Sequence, residues 1–405
     1  MLWLLLAVTL KCGLCQVSVT ARLDQPEYLV GEPIFVFVDV TNAGAEPLGY
    51  STCDGHVELS VLGGRRKAAP NLRGCFSGGF GSGGACGIDH PPLMQPGESV
   101  SFPYLLRGYR LESGDYVLHA SGAAGVRWFF GAGRNSSAFS GHKIGDVVEG
   151  REFDVSISLA IRAGTDDELR GRYQRYVQEA TDGAALTDSW LRARQAIAEM
   201  APAFLERTLL KFADQPETAE LAVEGLAQIP TPTSRADLVQ LYEKTPDLRF
   251  RGLIVEKLAG IATRDELSFL ASLLPGHSNV FDDRIREFAA LGIGKIGGDS
   301  AVAILEAAPR SASSNVRRAV ATAAGNTKSP AAVPVLIGMY SDEEIHNDVC
   351  WALATLTHHR WCTGTQTVPE TQSKWLRWWG SNQSPLPIYG MDQCIASEKL
   401  LPLPE

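Results

Sequence analysis

Asp282-Asp-Arg-Ile-Arg-Glu-Phe-Ala-Ala-Leu-Gly-Ile-Gly-Lys-Ile296 decides the fold of the longer half of this chain. Its apolar and small residues Ile285, Phe288, Ala289, Gly292, Ile293 and Ile296 fall at offsets 0, 3, 4, 7, 8 and 11. Those offsets trace one face of an α-helix, because 3.6 residues per turn bring i, i+3, i+4 and i+7 into a stripe. The same kind of ending recurs. The last residues of successive periodic stretches are Met200, Ile229, Ile261, Ile296, Asn326 and Leu356, spaced by 29, 32, 35, 30 and 30 residues. A near-constant period of that size predicts stacked two-helix units, each needing its neighbours to bury an apolar face. A second helix within a unit is expected after Ser329 and Pro330, which suit the N-cap and first helical positions. Ala332, Val333, Leu336 and Ile337 supply its apolar face.

The segments Asn315–Leu336 and Arg284–Leu305 resemble the short HEAT-like repeats of the phycobilisome-lyase type, and the resemblance extends over about Thr187–Thr357. It implies an all-α HEAT-like helical solenoid. Asp247 with Arg249, Asp283 with Arg286 and Asn315 with Arg317 recur near helix starts and resemble the polar ladder that joins neighbouring repeats in such arrays. The last unit, Ile345-His-Asn-Asp348, has no Arg at the matching place, as expected of a terminal cap. Trp375, Trp378 and Trp379 then fall at i, i+3 and i+4 of one helix. Such a stripe suits a sugar or a protein partner, but end repeats need sealing, and the expectation is that these rings cover the open end.

From Val17 to Ile161 the apolar period is two, the mark of half-buried strands. Strands are expected near Val17–Leu23, Ile34–Thr41, Val57–Leu62, Ser99–Leu106, Tyr116–Ser121, Val126–Phe130 and Phe153–Ile161, with Gly and Pro turns between them. Strands at this density with no helical run between them predict an all-β antiparallel sandwich. Leu111-Glu-Ser-Gly-Asp-Tyr116 has the layout of a tyrosine corner, in which a hydroxyl ties a strand start to the preceding loop. Gly31–Thr41 with Pro96–Ala120 resembles bacterial immunoglobulin-like modules, including those of the intracellular proteinase-inhibitor type. The expected organisation is a signal peptide over 1–15, an immunoglobulin-like β-sandwich over 16–163, a HEAT-like array over 164–357, and a Trp-rich cap with a Pro-rich tail over 358–405.

The signal peptide rests on Leu2–Val8 as apolar core and on Gly13 and Cys15 before a cleavage at Gln16. Lys11 before Cys12 and Leu14 before Cys15 argue against a lipid anchor. Export makes the remaining cysteines disulfide candidates. Cys350 sits at a core position of a helix, where a free buried thiol is expected. Cys362 and Cys394 are then expected to staple the tail, while Cys53, Cys75 and Cys86 stay open in their pairing. Cys53 and Cys86 with His56 and His90 also have zinc-like spacing. In an oxidising compartment disulfide formation competes with thiolate ligation, so no metal is expected.

Gly79-Phe-Gly-Ser-Gly-Gly84 and Gly292-Ile-Gly-Lys-Ile-Gly297 both match the dinucleotide-binding pattern. Neither stands between a strand and a helix start, where a pyrophosphate would be held, and no cofactor is expected. No nucleophile elbow, zincin helix or phosphate-binding loop occurs, and no catalytic residue is assigned. Of the 405 residues, 45% are apolar, enough for two cores, and the formal charge is −9. That charge argues against a nucleic-acid partner, which is held by clustered Lys and Arg. No apolar run reaches the ~18 residues of a membrane span. The expected function is a non-enzymatic, secreted or periplasmic protein-interaction scaffold. Thr165–Glu405 carries a net −7 against −3 for Gln16–Gly164, which suits a protein partner with basic patches. Two other readings are a protease inhibitor presenting the Cys75–Cys86 loop, and a lyase-like enzyme by analogy of the repeats.

Overall fold

The computed structural model describes residues 17–45, 48–49, 56–62, 65–66, 93–107, 109–123, 128–129, 147–148, 152–182, 187–275, 279–308, 312–357, 359 and 367–382. The expected signal peptide, the Gly-rich loop, Cys53, Cys75, Cys86, Cys362, Cys394 and the tail after Asn382 lie outside the described residues. The described chain divides into two compact units, the first ending at Ala196 and the second starting at Ile197.

The first unit is rich in sheet. Its strands are β1 (Val17–Leu23), β2 (Tyr28–Leu29), β3 (Phe35–Asn42), β4 (Leu48–Gly49), β5 (His56–Leu62), β6 (Arg65–Arg66), β7 (Leu93–Met94), β8 (Ser99–Leu105), β9 (Tyr109–Arg110), β10 (Gly114–Ala123), β11 (Trp128–Phe129), β12 (Val147–Val148) and β13 (Glu152–Arg162). One sheet runs β1-β3-β8 and a second β2-β13-β10-β5. Val36 of the first sheet shares a core with Val61, Leu118, Ala120, Leu159 and Ile161 of the second. Alternation supplies that core: Leu118 and Ala120 point inward while Val117 and His119, which alternate with them, are less buried. The described pairs are antiparallel with one exception. Tyr28 and Leu29 run parallel to Ile161 and Arg162, which corrects the wholly antiparallel expectation. A two-residue strand beside the end of β13 leaves no periodic pattern to read. The Tyr116 hydroxyl donates to the Glu112 carbonyl at 3.0 Å, closing the loop before β10 onto the strand.

The period changes where β13 ends, and Thr165 and Glu168 start α1 (Asp166–Asp182) by exchanging bonds. Glu168 accepts from the Thr165 N–H at 2.9 Å, and the Thr165 hydroxyl accepts from the Glu168 N–H at 3.2 Å. Compactness does not change there. The first unit also holds α1 and all but the last turn of α2 (Asp188–Met200).

The second unit continues with α3 (Glu206–Ala213), α4 (Ala219–Leu226), α5 (Pro232–Lys244), α6 (Leu248–Ile261), α7 (Leu267–Leu273), α8 (Val280–Ile296), α9 (Gly298–Glu306), α10 (Ser314–Asn326), α11 (Ala332–Met339), α12 (His346–Thr357) and α13 (Val368–Ser381). Helix ends at Met200, Ile261, Ile296 and Asn326 fall where the repeat spacing places them, α12 ends one residue after Leu356, and α4 stops at Leu226, short of the expected Ile229. The helix expected to open at Pro330 starts later, at Ala332. Ser329 instead accepts from the Ala331 N–H at 3.2 Å and donates to Asp299, holding a turn rather than a cap. Helices α6, α8, α10 and α12 pack in succession. The approach is closest at Gly294, where an added Cβ would lie 2.5 Å from the Ala323 carbonyl oxygen and 2.6 Å from its Cα. Gly297 ends α8 at φ +72°, a conformation that favours glycine. Gly294 and Gly297, in the second stretch that matches a nucleotide loop, therefore serve packing and termination.

Gly294→Ala is expected to destabilise the array by about 1–3 kcal/mol, because backbone rather than a movable side chain stands in the way. Gly171, inside α1 with nothing within 4 Å of an added Cβ, should behave oppositely, gaining about 0.5–1 kcal/mol as Ala. Urea unfolding of both variants checks the pair. An unmoved transition for Gly294→Ala would contradict the close approach of α8 and α10.

Candidate functional site

The layer formed by α6, α8, α10 and α12 carries a line of charges that alternate in sign. Arg284 of α8 meets Glu256 of α6 at 3.3 Å, and Arg318 of α10 meets Asp348 of α12 at 3.0 Å. Glu287 of α8 is flanked by both arginines. Burial and the Asp283 charge push its carboxyl up, and Arg284 and Arg318 oppose that rise. At 62% exposure the Arg284 side chain keeps most of its surface open, and Trp351 of α12 is 49% exposed. Large aromatic and arginine side chains left accessible on a rigid face are the usual anchors of a protein interface.

The residues expected to form the ladder are distributed differently. Asp247 caps α6, accepting from the Arg249 N–H at 2.8 Å, while the Arg249 side chain stays exposed. Asp283 and Arg286 pair at 3.3 Å, and buried Arg286 also donates to the Leu274 carbonyl at 2.8 Å. A cation at the end of α7 offsets the partial negative charge of its terminal carbonyls and ties one repeat to the next. Asn315 and Arg317 do not meet. Asn315 accepts from Arg318 at 3.2 Å, whereas Arg317 reaches forward to Asp342 and Glu344 before α12, each at 2.6 Å. Asp348 in the last unit, where no Arg occurs, takes the Arg318 guanidinium instead.

The tryptophans of α13 are placed in two ways. Trp375 and Trp378 lie in the array core with centroids 5.6 Å apart and rings nearly perpendicular, while Trp379 packs against that core from its edge. Gln372 on the same helix donates to the Ile337 carbonyl at 2.8 Å. Rings buried among repeat residues are not presented to a sugar. His359 stands over Trp378 at 5.1 Å, and burial holds its pKa below the usual histidine value. Cys350 of α12 is disulfide-bonded, which corrects the expectation of a free thiol. Every other cysteine of the chain lies outside the described residues. Helical position reports burial, and a buried sulfur is equally compatible with either state.

Sequence reading missed the alternating line and a second pair, Arg235 of α5 with Glu266 before α7, both buried and 3.1 Å apart. Among the described residues no group of three His, Cys, Asp or Glu is arranged to hold a metal ion. No helix among them is long and apolar enough to cross a membrane.

The family model for HEAT repeats matches residues 273–354, the stretch from the end of α7 into α12. No curated protein matches the chain in sequence. Solved structures similar to it include native α2-macroglobulin of E. coli, at 12% identity over 91% of this chain and 26% of that one, with a TM-score of 0.17. Salmonella α2-macroglobulin reacted with methylamine is similar at 11% identity over 91% and 27%, with a TM-score of 0.18. The chain thus spans about a quarter of the length of those proteins.

The Arg317 guanidinium, bonded to Asp342, holds the Asp342 carboxyl below the ordinary carboxylate range. A depressed carboxylate adds stability that is present above its unfolded pKa and lost as pH falls through the folded one. Asp342→Asn should therefore cost about 0.5–1 kcal/mol at neutral pH, allowing for solvent screening. The gap to the parent protein should close below about pH 4. Unfolding midpoints measured from pH 7 to pH 3 check this, and a pH-independent gap would contradict it.

Proposed function

We propose that this chain is an exported, non-enzymatic scaffold that binds a protein partner through its repeat array, with the sheet-rich unit as an immunoglobulin-like accessory. HEAT repeats suggest a protein-interaction scaffold, and the match to them over residues 273–354 carries the reading. Those residues hold α8, α10 and most of α12, which carry the alternating charges other than Glu256 together with the half-exposed Trp351. Stacked helices of this kind offer an extended surface of fixed spacing, which suits recognition of another protein better than chemistry on a small substrate. The net −7 of Thr165–Glu405 favours a partner with basic patches, and salt weakens such long-range attraction beyond about 8–10 Å. The immunoglobulin-like assignment is supported by two sheets that bury one core and by the Tyr116 bond to Glu112. Export is supported by the apolar N-terminal core Leu2–Val8.

Capture on the full-length chain from the secreted or envelope fraction is expected to recover a specific protein whose binding weakens with salt. Trp351→Ala should then lower its affinity at least tenfold, measured at a temperature where variant and parent are both fully folded. Recovery of nothing beyond controls, or a partner indifferent to substitutions along α8, α10 and α12, would remove this reading. Mass spectrometry of the mature N-terminus tests export separately, with Gln16 as the expected first residue.

A further inference from the structure

The loop Asp24–Glu32 and the helix α1 make a second, unrelated arrangement inside the first unit. Glu32, only 2% exposed, accepts from the Leu29 N–H and from the Gln25 side chain, each at 3.0 Å, and Arg172 lies 3.7 Å away. The Tyr28 hydroxyl donates to Asp24 at 2.5 Å, and the Tyr173 hydroxyl donates to the Gly31 carbonyl at 3.2 Å. These bonds hold the loop against the helix. Beside them opens a cleft of about 190 Å³ lined by Asp24, Gln25, Arg175, Tyr176, Glu179 and Arg192.

Three properties of the cleft point to a ligand. Its charges balance, two guanidinium groups against two carboxylates, and they are only loosely matched. Arg192 stands 3.8 Å from Asp24 and Arg175 stands 4.0 Å from Glu179, both beyond hydrogen-bonding distance. Both guanidinium groups rest on ring faces, Arg192 at 5.0 Å from the centre of Phe37 and Arg175 at 5.5 Å from that of Tyr176, and the Arg192 Nε donates to the Asp188 carbonyl at 3.2 Å. Finally, Tyr176 is 4% exposed, and its buried hydroxyl has no hydrogen-bond partner in proper geometry. Such a group carries a desolvation cost that folded proteins rarely leave unmet. Burial, with the charges of Glu32 and Asp24, pushes its pKa up to about 12 against the opposing Arg175, so the hydroxyl keeps its proton and is available to donate.

A simple anion would satisfy the arginines and leave two carboxylates facing it, and a simple cation would do the reverse. A ligand with both charges a few ångströms apart meets all four. The volume, below the roughly 300 Å³ at which drug-sized pockets begin, leaves no space for a nucleotide or an oligosaccharide. We propose that the cleft binds a small zwitterion of the free α-amino-acid class. Its carboxylate lies between Arg175 and Arg192, its ammonium faces Asp24 and Glu179, and it takes up the Tyr176 hydroxyl.

Isothermal titration of the full-length chain with glycine, alanine, serine, glutamate and lysine tests the proposal, with acetate and methylammonium as single-charge controls. At least one amino acid is expected to bind one-to-one, with neither control competing at equal concentration. Tyr176→Phe should weaken that binding about tenfold, the scale of one lost hydrogen bond to a charged group. It should not lower the unfolding midpoint and is expected to raise it, since an unmatched buried polar atom is removed. Arg175→Gln, at a half-exposed position, should weaken binding at least as much and serves if the first variant folds poorly. The proposal is overturned if no amino acid binds at millimolar concentration, if acetate competes as well as the zwitterion, or if both variants bind like the parent.

Discussion

Distance between consecutive first helices governs the array. At Gly294 the α8 backbone comes so near Ala323 of α10 that no side-chain atom fits between them. Gly292 against Ala259 and Gly325 against Ala352 repeat the arrangement on either side, with an added Cβ meeting its neighbour at 2.9 Å in each case. Close helices let short side chains fill the interior, so Ala289, Ala290, Ala321, Ala323 and Ala324 form much of the core. They also bring the surface charges within reach. The pairs Glu256–Arg284 and Arg318–Asp348 close at 3.3 and 3.0 Å across helix boundaries, distances that a wider spacing would not allow.

Buried polar groups then fix orientation where the apolar core is indifferent to it. Hydrophobic contact is non-directional, whereas Arg286 must meet both Asp283 and the Leu274 carbonyl, and Arg235 must meet Glu266. Removing one member of a buried pair leaves a charge without compensation and costs about 3–5 kcal/mol, so such pairs select one packing over its near alternatives. This divides the charged residues by task. Arg286 and Arg317 are consumed by bonds between repeats, while the open surface of Arg284 and Trp351 remains for contact with another molecule.

Periodicity made most of the fold legible because it reports which face is buried. The strands from Val17 onward and the helix ends at Ile261, Ile296 and Asn326 follow from it directly. The side-chain bonds were less accessible. Glu256, Arg284, Glu287, Arg318 and Asp348 stand 5, 12, 9, 8 and 8 residues before the ends of their periodic stretches, so no constant spacing marks them. Their alignment arises only when helices of unequal length are set side by side. Arg317 is a milder case: its neighbour Asn315 suggested a local pair, yet the guanidinium is long enough to reach Asp342, 25 residues away. The cleft lined by Asp24 and Tyr176 has no signature at all, since it joins a strand-end loop to a helix about 150 residues later.

That cleft also shows how a folded chain distinguishes structural from spare chemistry. Tyr28, Tyr173 and Tyr176 are all buried beside one loop. The first two have evident reasons to be tyrosine, since their hydroxyls bind Asp24 and the Gly31 carbonyl and thereby hold the loop. Tyr176 contributes the same ring to the core, edge-on to Tyr173 at 6.0 Å, but its hydroxyl holds nothing. Phenylalanine would supply that ring without burying an unmatched polar atom, a difference of about 1–3 kcal/mol in its favour for stability. Apart from the neighbouring Arg175 guanidinium, which it does not meet in proper hydrogen-bond geometry, the hydroxyl has no partner within the fold, and it borders two arginines that are themselves incompletely paired. Groups left unsatisfied together at one place are more economically explained by a shared ligand than by separate faults in packing.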